Sequence, residues 1–183
     1  MKIFIGCSSS EHIPNEYLED AKMILNEIFR KDNTLVFGAN NTGMMGIAHD
    51  CALQYHREII GICPKIYQDD FQKLQCDKEL IAETVSKRTE MAIEEADVLL
   101  FLPGGIGTVY ELLTAMESKR SHEHDKPILV YNSHHYFDLL LATFEKMYQE
   151  SFTGGKVTTC YQVINTKEEL FQVLRECDKN RKE

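Results

Sequence analysis

Leu99-Leu100-Phe101-Leu102-Pro103-Gly104-Gly105-Ile106-Gly107-Thr108-Val109-Tyr110-Glu111 reads as a strand, a Gly-rich turn and a helix start in immediate succession. The unbroken apolar run before Pro103 suits a strand buried on both faces. Glycines let a backbone approach a ligand closely. The first amides of a helix have no partner within it, and the helix dipole adds partial positive charge at that end. Such a helix start holds a phosphate with no basic side chain. A tight turn without a ligand has the same composition, but strand, glycines and helix start in register favour the ligand. Glu111 carries an alternative of its own. Thr108-x-x-Glu111 fits a capping box with Thr108 as N-cap, and spacing alone prefers that explanation.

Outward from this stretch, strand and helix patterns alternate along the chain. Ile3–Ile5, Thr34–Phe37, Glu58–Cys63, Asp97–Leu102, Pro127–Tyr131 and Tyr161–Ile164 read as strands. Between and after them, Asn15–Arg30, Met44–His56, Glu83–Ala96, Thr108–Lys119, Tyr136–Tyr148 and Lys167–Cys177 carry helical patterns. Pro64 to about Ile81 has no clear period and reads as a loop that covers a site. The charged tail 178–183 reads as frayed. Regular alternation predicts an α/β fold: a Rossmann-like, doubly wound, mainly parallel sheet of about six strands with helices on both faces, in one nucleotide-binding domain over 1–183. Ligands in such sheets bind at the carboxyl ends of the strands. The turns after Ile5, Phe37 and Leu102 are small or Gly-rich and are expected to face one crevice.

Bulk properties narrow the function. The 183 residues suit one core, and a hydrophobic fraction of 43% argues against disorder. No apolar run reaches the length of a membrane span, and the opening Met1–Gly6 reads as a core strand rather than a leader, which places the chain in the cytoplasm. A net charge of −9 disfavours a nucleic-acid duplex as partner but leaves a small anionic ligand open. The six Cys form no C-x-x-C pair and read as reduced thiols. His122, His124, His134 and His135 lie in segments that read as exposed connectors, so no metal is expected. No G-x-G-x-x-G follows the first strand, no Walker lysine is present, and no lysine sits as a pyridoxal Schiff-base former would; no cofactor is expected.

The motifs together resemble the Lonely Guy family, often labelled lysine-decarboxylase-like, whose characterised members are cytokinin nucleoside-monophosphate phosphoribohydrolases. The family motif P-G-G-x-G-T-x-x-E is complete at Pro103–Glu111. A second Gly-rich loop matches at Gly38–Gly46, the opening G-S-S at Gly6-Cys7-Ser8, and H-D-K-P at His124–Pro127. The upstream M-H-x-R-K falls on Val85–Thr89, with Ser86 for His and Thr89 for Lys. Met116-Glu117-Ser118 replaces an apolar I-T-W, and the triple glycine of the second loop is reduced to Gly38-Ala39-Asn40.

The resemblance implies a catalytic pair at Arg88 and Glu111. It implies a phosphate site at Gly104, Gly105, Ile106, Gly107 and Thr108, with Ser8, Gly43 and Met44 as further contacts. It also implies a homodimer or higher homo-oligomer. The expected reaction is hydrolysis of the N-glycosidic bond of a nucleoside 5′-monophosphate, AMP or a cytokinin-type adenylate, to free base and ribose 5-phosphate. The alternative is a carrier of a nucleotide or a phosphorylated cofactor resembling the molybdenum cofactor. Arg88 and Glu111 favour the enzyme; Ser86, Thr89 and Glu117 favour the carrier.

Overall fold

The computed structural model describes residues 1–71, 74–153 and 159–182. Strands β1 (Lys2–Gly6), β2 (Thr34–Phe37), β3 (Ile59–Pro64), β4 (Lys78–Ala82), β5 (Val98–Phe101), β6 (Ile128–Tyr131) and β7 (Gln162–Ile164) form one sheet. Helices α1 (Asn15–Arg30), α2 (Gly43–Gln54), α3 (Gln68–Phe71), α4 (Val85–Glu95), α5 (Ile106–Arg120), α6 (Asp138–Gln149) and α7 (Lys167–Lys182) connect and follow them. The strand order is β4-β3-β2-β1-β5-β6-β7, and every neighbouring pair is parallel. The chain winds outward one way from β1 and the other way from β5. The crevice of this Rossmann-like sheet therefore opens where β1 and β5 lie side by side.

The apolar strands serve two cores because successive side chains leave opposite faces. Ile3, Ile5, Leu35, Phe37, Leu100 and Leu129 face α1, α2 and α7, meeting Ile24, Leu25, Ala48 and Leu170. Phe4, Val36, Leu99, Phe101 and Val130 face the other way, meeting Ala92 of α4, Leu112 and Ala115 of α5, and Phe144 of α6. Burial on both faces explains why these strands read as unbroken apolar runs.

The sheet has seven strands among the described residues, and the added one is β4. Lys78–Ala82 lies inside the segment read as a loop. It is an edge strand with mostly exposed side chains, and its short Leu80-Ile81-Ala82 run follows two charged residues without a clean alternation. Its pairing is set from outside: Asp77 donates its amide to the Ile59 carbonyl at 2.9 Å, and its carboxylate accepts the Ile59 amide at 2.8 Å. Part of the same segment, residues 72–73, lies outside the described residues. In the charged tail, helix α7 continues to Lys182, where Arg181 reaches Asp97 at 3.4 Å and Asp178 at 3.6 Å. Opposite charges three residues apart support the helix there.

The turns after β1, β2 and β5 do meet. Ser8 donates its amide to the Pro103 carbonyl at 3.2 Å, and the Ser8 carbonyl accepts the amides of Met44 at 2.9 Å and Met45 at 3.3 Å. The Thr42 hydroxyl donates to the Ser9 carbonyl at 2.6 Å. The fit is tight at Gly43, whose φ of +56° disfavours a side chain and where a Cβ would lie 2.5 Å from the Ser10 carbonyl oxygen.

Candidate functional site

Helix α5 begins at Ile106, with Gly105 as its N-cap. Thr108 is thus inside the first turn, and the capping box expected of Thr108 and Glu111 does not form. The Thr108 side chain is buried and packs where a Cβ on Gly104 would stand, so the turn closes onto the helix only because residue 104 is glycine. The amides of Ile106, Gly107 and Thr108 meet no acceptor among the described residues. A Cβ on Gly105 or Gly107 would stand in open space. Nothing in the packing of the described residues requires these two glycines, and their lack of side chains leaves the helix start accessible.

One turn further along α5, Glu111 is buried on the same inward face as Thr108. Its Oε1 accepts from Nη2 of Arg88 on α4, and the two side chains are only 3% and 11% exposed. Helix α4 is set for this by Thr84, whose hydroxyl caps it by accepting the Lys87 amide at 3.1 Å. The guanidinium also lies over Gly38 at the end of β2, where any Cβ would collide with Nη1. Gly38 therefore makes room for Arg88, a role its place in a Gly-rich loop only hinted at. Burial pushes the Glu111 carboxyl above the ordinary carboxylate range, and Arg88 partly offsets that. The buried Cys7 thiol is pushed up by its own burial and by the nearby Glu111 charge.

Two atoms of this pair have no hydrogen-bond partner among the described residues: Nε of Arg88, a donor, and Oε2 of Glu111, an acceptor. Buried polar atoms without partners are costly and uncommon. A donor and an acceptor left without partners on one ion pair, one turn inside a helix start whose first amides meet no acceptor among the described residues, form an arrangement suited to a hydroxyl-bearing ligand.

The other residues singled out from sequence divide. Ser8 sits between the two sides: its amide nitrogen would be 3.0 Å from a Cβ on Gly104, and its hydroxyl accepts the Ser10 amide at 3.1 Å. Gly43 and Met44 lie beside it, but the Met44 amide is engaged by Ser8 and its side chain belongs to the core. Ile106 exposes 88% of its surface at the mouth. Ser86 is exposed in the first turn of α4. Thr89 is buried and returns its hydroxyl to the Val85 carbonyl at 3.3 Å. Glu117 lies on the outer face of α5, held by Arg120. Neither Thr89 nor Glu117 adds a group to the crevice. The histidines have local partners: His124 bonds the Ala115 carbonyl at 3.0 Å, and His134 packs edge-on against Tyr17. Sequence reasoning passed over Tyr136, whose hydroxyl donates to the Gly104 carbonyl at 2.8 Å across 32 residues; no local pattern signals that contact.

A cleft of about 240 Å³ opens beside the turn, lined by Ser8, Ser10, Tyr17, Gly104, Gly105 and Tyr136 among others. A larger hollow of about 410 Å³, around Met1, Lys31, Arg175 and Arg181, lies at the amino ends of the strands, away from the three turns.

Fold and site together define a Rossmann-like α/β protein with a free, Gly-flanked helix start and a buried Arg–Glu pair beneath it. The family model described as "Possible lysine decarboxylase" matches residues 45–174. The chain belongs to this family, the Lonely Guy family. It is 29% identical to the cytokinin riboside 5′-monophosphate phosphoribohydrolase LOG3 of Arabidopsis thaliana, over 96% of this chain and 82% of the relative. It is 30% identical to a probable cytokinin riboside 5′-monophosphate phosphoribohydrolase, LOG6, of the same plant, over 95% and 87%. Among solved structures, the molybdenum cofactor carrier protein of Chlamydomonas reinhardtii is similar with a TM-score of 0.69 at 16% identity, covering 96% of both chains. The molybdenum cofactor binding protein of Rippkaea orientalis is similar with a TM-score of 0.70 at 17% identity, covering 96% of this chain and 95% of that one. At that identity the likeness is one of fold.

Proposed function

We propose that this protein hydrolyses the N-glycosidic bond of a nucleoside 5′-monophosphate, AMP or a cytokinin-type adenylate, to free base and ribose 5-phosphate. The observation that carries the reading is the buried Arg88–Glu111 pair with one donor and one acceptor unpartnered among the described residues, one turn from the amides of Ile106, Gly107 and Thr108, which meet no acceptor among those residues. In this reading the 5′-phosphate sits on those amides, with Gly104 and Gly105 shaping the turn and Ser8, Gly43 and Met44 forming the facing wall. The sugar then reaches the pair. Water adds to the anomeric carbon, the bond to the base nitrogen breaks, and the base leaves with a proton. The transition state is oxocarbenium-like. The Glu111 carboxylate stabilises that positive charge and orients the water, while Arg88 holds the carboxylate in place and ionised.

Relatives named as phosphoribohydrolases over nearly the whole chain support this assignment. A carrier needs the same helix start but has no use for a buried, half-partnered carboxylate near it, so the pair favours the enzyme. The cleft lining contains no lysine for Schiff-base chemistry, so the decarboxylase of the family description finds no support there. We further propose a homodimer, on the exposed apolar side chains of Ile106 (88%) and Leu139 (86%), with Tyr110 and Leu113, on α5 and α6. A cytoplasmic location accords with six free thiols.

A panel of nucleoside 5′-monophosphates, with base release followed by chromatography, tests the activity. Release from at least one adenylate is expected. No release from any of them, alongside an active control enzyme, removes the proposal. Light scattering at micromolar concentration tests the dimer, which a monomer mass refutes.

A further inference from the structure

We infer that Tyr136 is a positioning residue that sets the polarity of the turn above α5; the inference rests on reading that turn as the phosphate site. The Tyr136 hydroxyl donates to the Gly104 carbonyl at 2.8 Å. An anion at the helix start needs N–H groups converging on it and carbonyl oxygens turned elsewhere. Gly104 and Gly105 are the two residues of the turn freest to rotate, and a rotated peptide between them would bring a carbonyl toward the anion. The bond to Tyr136 commits the Gly104 oxygen to the tyrosine hydroxyl and so fixes the rotation of that peptide.

The arm that does this is itself rigid. Tyr136 follows two residues in left-handed conformation, His134 (φ 50°) and His135 (φ 60°). Asn132, buried, locks the turn: its side-chain oxygen accepts the Phe137 amide at 2.8 Å, and its side-chain nitrogen donates to Asp138 at 2.8 Å. The Tyr136 ring is held edge-on by Tyr17, 5.7 Å away, and by Phe137, 5.1 Å away. Phe137 is a core residue at 2% exposure. A side chain on a different element, anchored to the core, therefore reaches back to one carbonyl of the site. Tyr136 touches no reacting atom in this role. It acts through Gly104.

Tyr136→Phe keeps the ring and removes only the hydroxyl. Inorganic phosphate and ribose 5-phosphate are titrated calorimetrically into the wild-type protein and the variant, with the amide signals of Ile106, Gly107 and Thr108 followed by NMR. AMP hydrolysis is measured in parallel. Loss of one hydrogen bond of ordinary strength predicts phosphate binding weaker by about tenfold. KM for AMP rises by a similar factor, kcat stays within about twofold, and the melting temperature falls by only a few degrees. Unchanged phosphate affinity overturns the inference. A fall in kcat at unchanged KM also overturns it, because it would place Tyr136 at the reacting atoms. A wild-type protein that binds phosphate at those amides and cleaves no nucleotide refutes the hydrolase while leaving Tyr136 testable by binding. A wild-type protein whose α5 amides ignore phosphate refutes the inference itself.

Discussion

Two helices of this protein follow Gly-rich turns at the carboxyl ends of central strands, and their starts have opposite fates. At α2 the first amides are used by the chain itself, Met44 and Met45 both donating to the Ser8 carbonyl. At α5 the amides of Ile106, Gly107 and Thr108 meet no acceptor among the described residues, and the space over Gly105 and Gly107 is open. The same local motif thus serves once as a joint between loops and once as the start proposed here to seat an anion. The glycines differ accordingly. Gly43 is required by its φ of +56° and by the Ser10 carbonyl, whereas Gly105 and Gly107 are required by nothing inside the chain.

The largest expected effect lies one turn inside α5, at the Arg88–Glu111 pair. Glu111→Gln should lower kcat for nucleotide hydrolysis by about a thousandfold or more, the scale of removing a group that stabilises transition-state charge. Phosphate affinity should survive, which a calorimetric titration checks. Arg88→Ala should weaken both, and should cost about 3–5 kcal/mol of stability because it leaves a buried carboxylate uncompensated. Denaturant unfolding measures that loss. Normal turnover in Glu111→Gln would reduce the pair to a structural one.

Substitution at the two helix starts should give effects of opposite sign. Gly107→Ala places a methyl group in open space in the first turn of α5 and should raise stability by about 0.5–1 kcal/mol. The same methyl stands where the anion approaches, so KM for the nucleotide should rise at least tenfold, an effect of about 1.4 kcal/mol. Gly43→Ala meets both a left-handed φ and the Ser10 carbonyl, and should cost about 1–3 kcal/mol. Thermal unfolding and steady-state kinetics on both variants separate the seat from the joint. A destabilised Gly107→Ala with unaltered KM would erase the contrast.

The smallest effect is on pH dependence. The folded-state carboxyl of Glu111 lies above its ordinary value of 4.5, chiefly through burial. Between the ordinary and the raised value the folded protein holds the proton that the unfolded chain has released, so stability should fall as pH rises through that window. Urea unfolding against pH should show this slope in the wild-type protein and not in Glu111→Gln. If the anion is the active form, the acid limb of kcat/KM should lie above 4.5 as well. A limb at or below that value would place the titrating group elsewhere.

The amino-acid sequence by itself determined the parallel α/β architecture, because strands such as Leu99–Phe101 are apolar on both faces and their helices carry an apolar stripe. It also located the turn at Pro103–Thr108, whose glycines and following helix are local properties. Three matters were decided only by tertiary structure. Strand β4 exists because Asp77 and β3 offer Lys78–Ala82 a hydrogen-bonding partner; with Lys78 and Glu79 at its start and only Leu80-Ile81-Ala82 apolar, its sequence is too short and mixed to betray a strand. Glu111 turned from its own helix start to Arg88, since α5 begins two residues before Thr108 and an opposing guanidinium outweighs a capping amide in a buried setting. Of two similar helix starts, α2 was closed and α5 left open because the loop after β1 lays the Ser8 carbonyl on the first and only an amide against the turn before the second. That choice depends on where a distant backbone oxygen points, a property that no spacing of residues encodes.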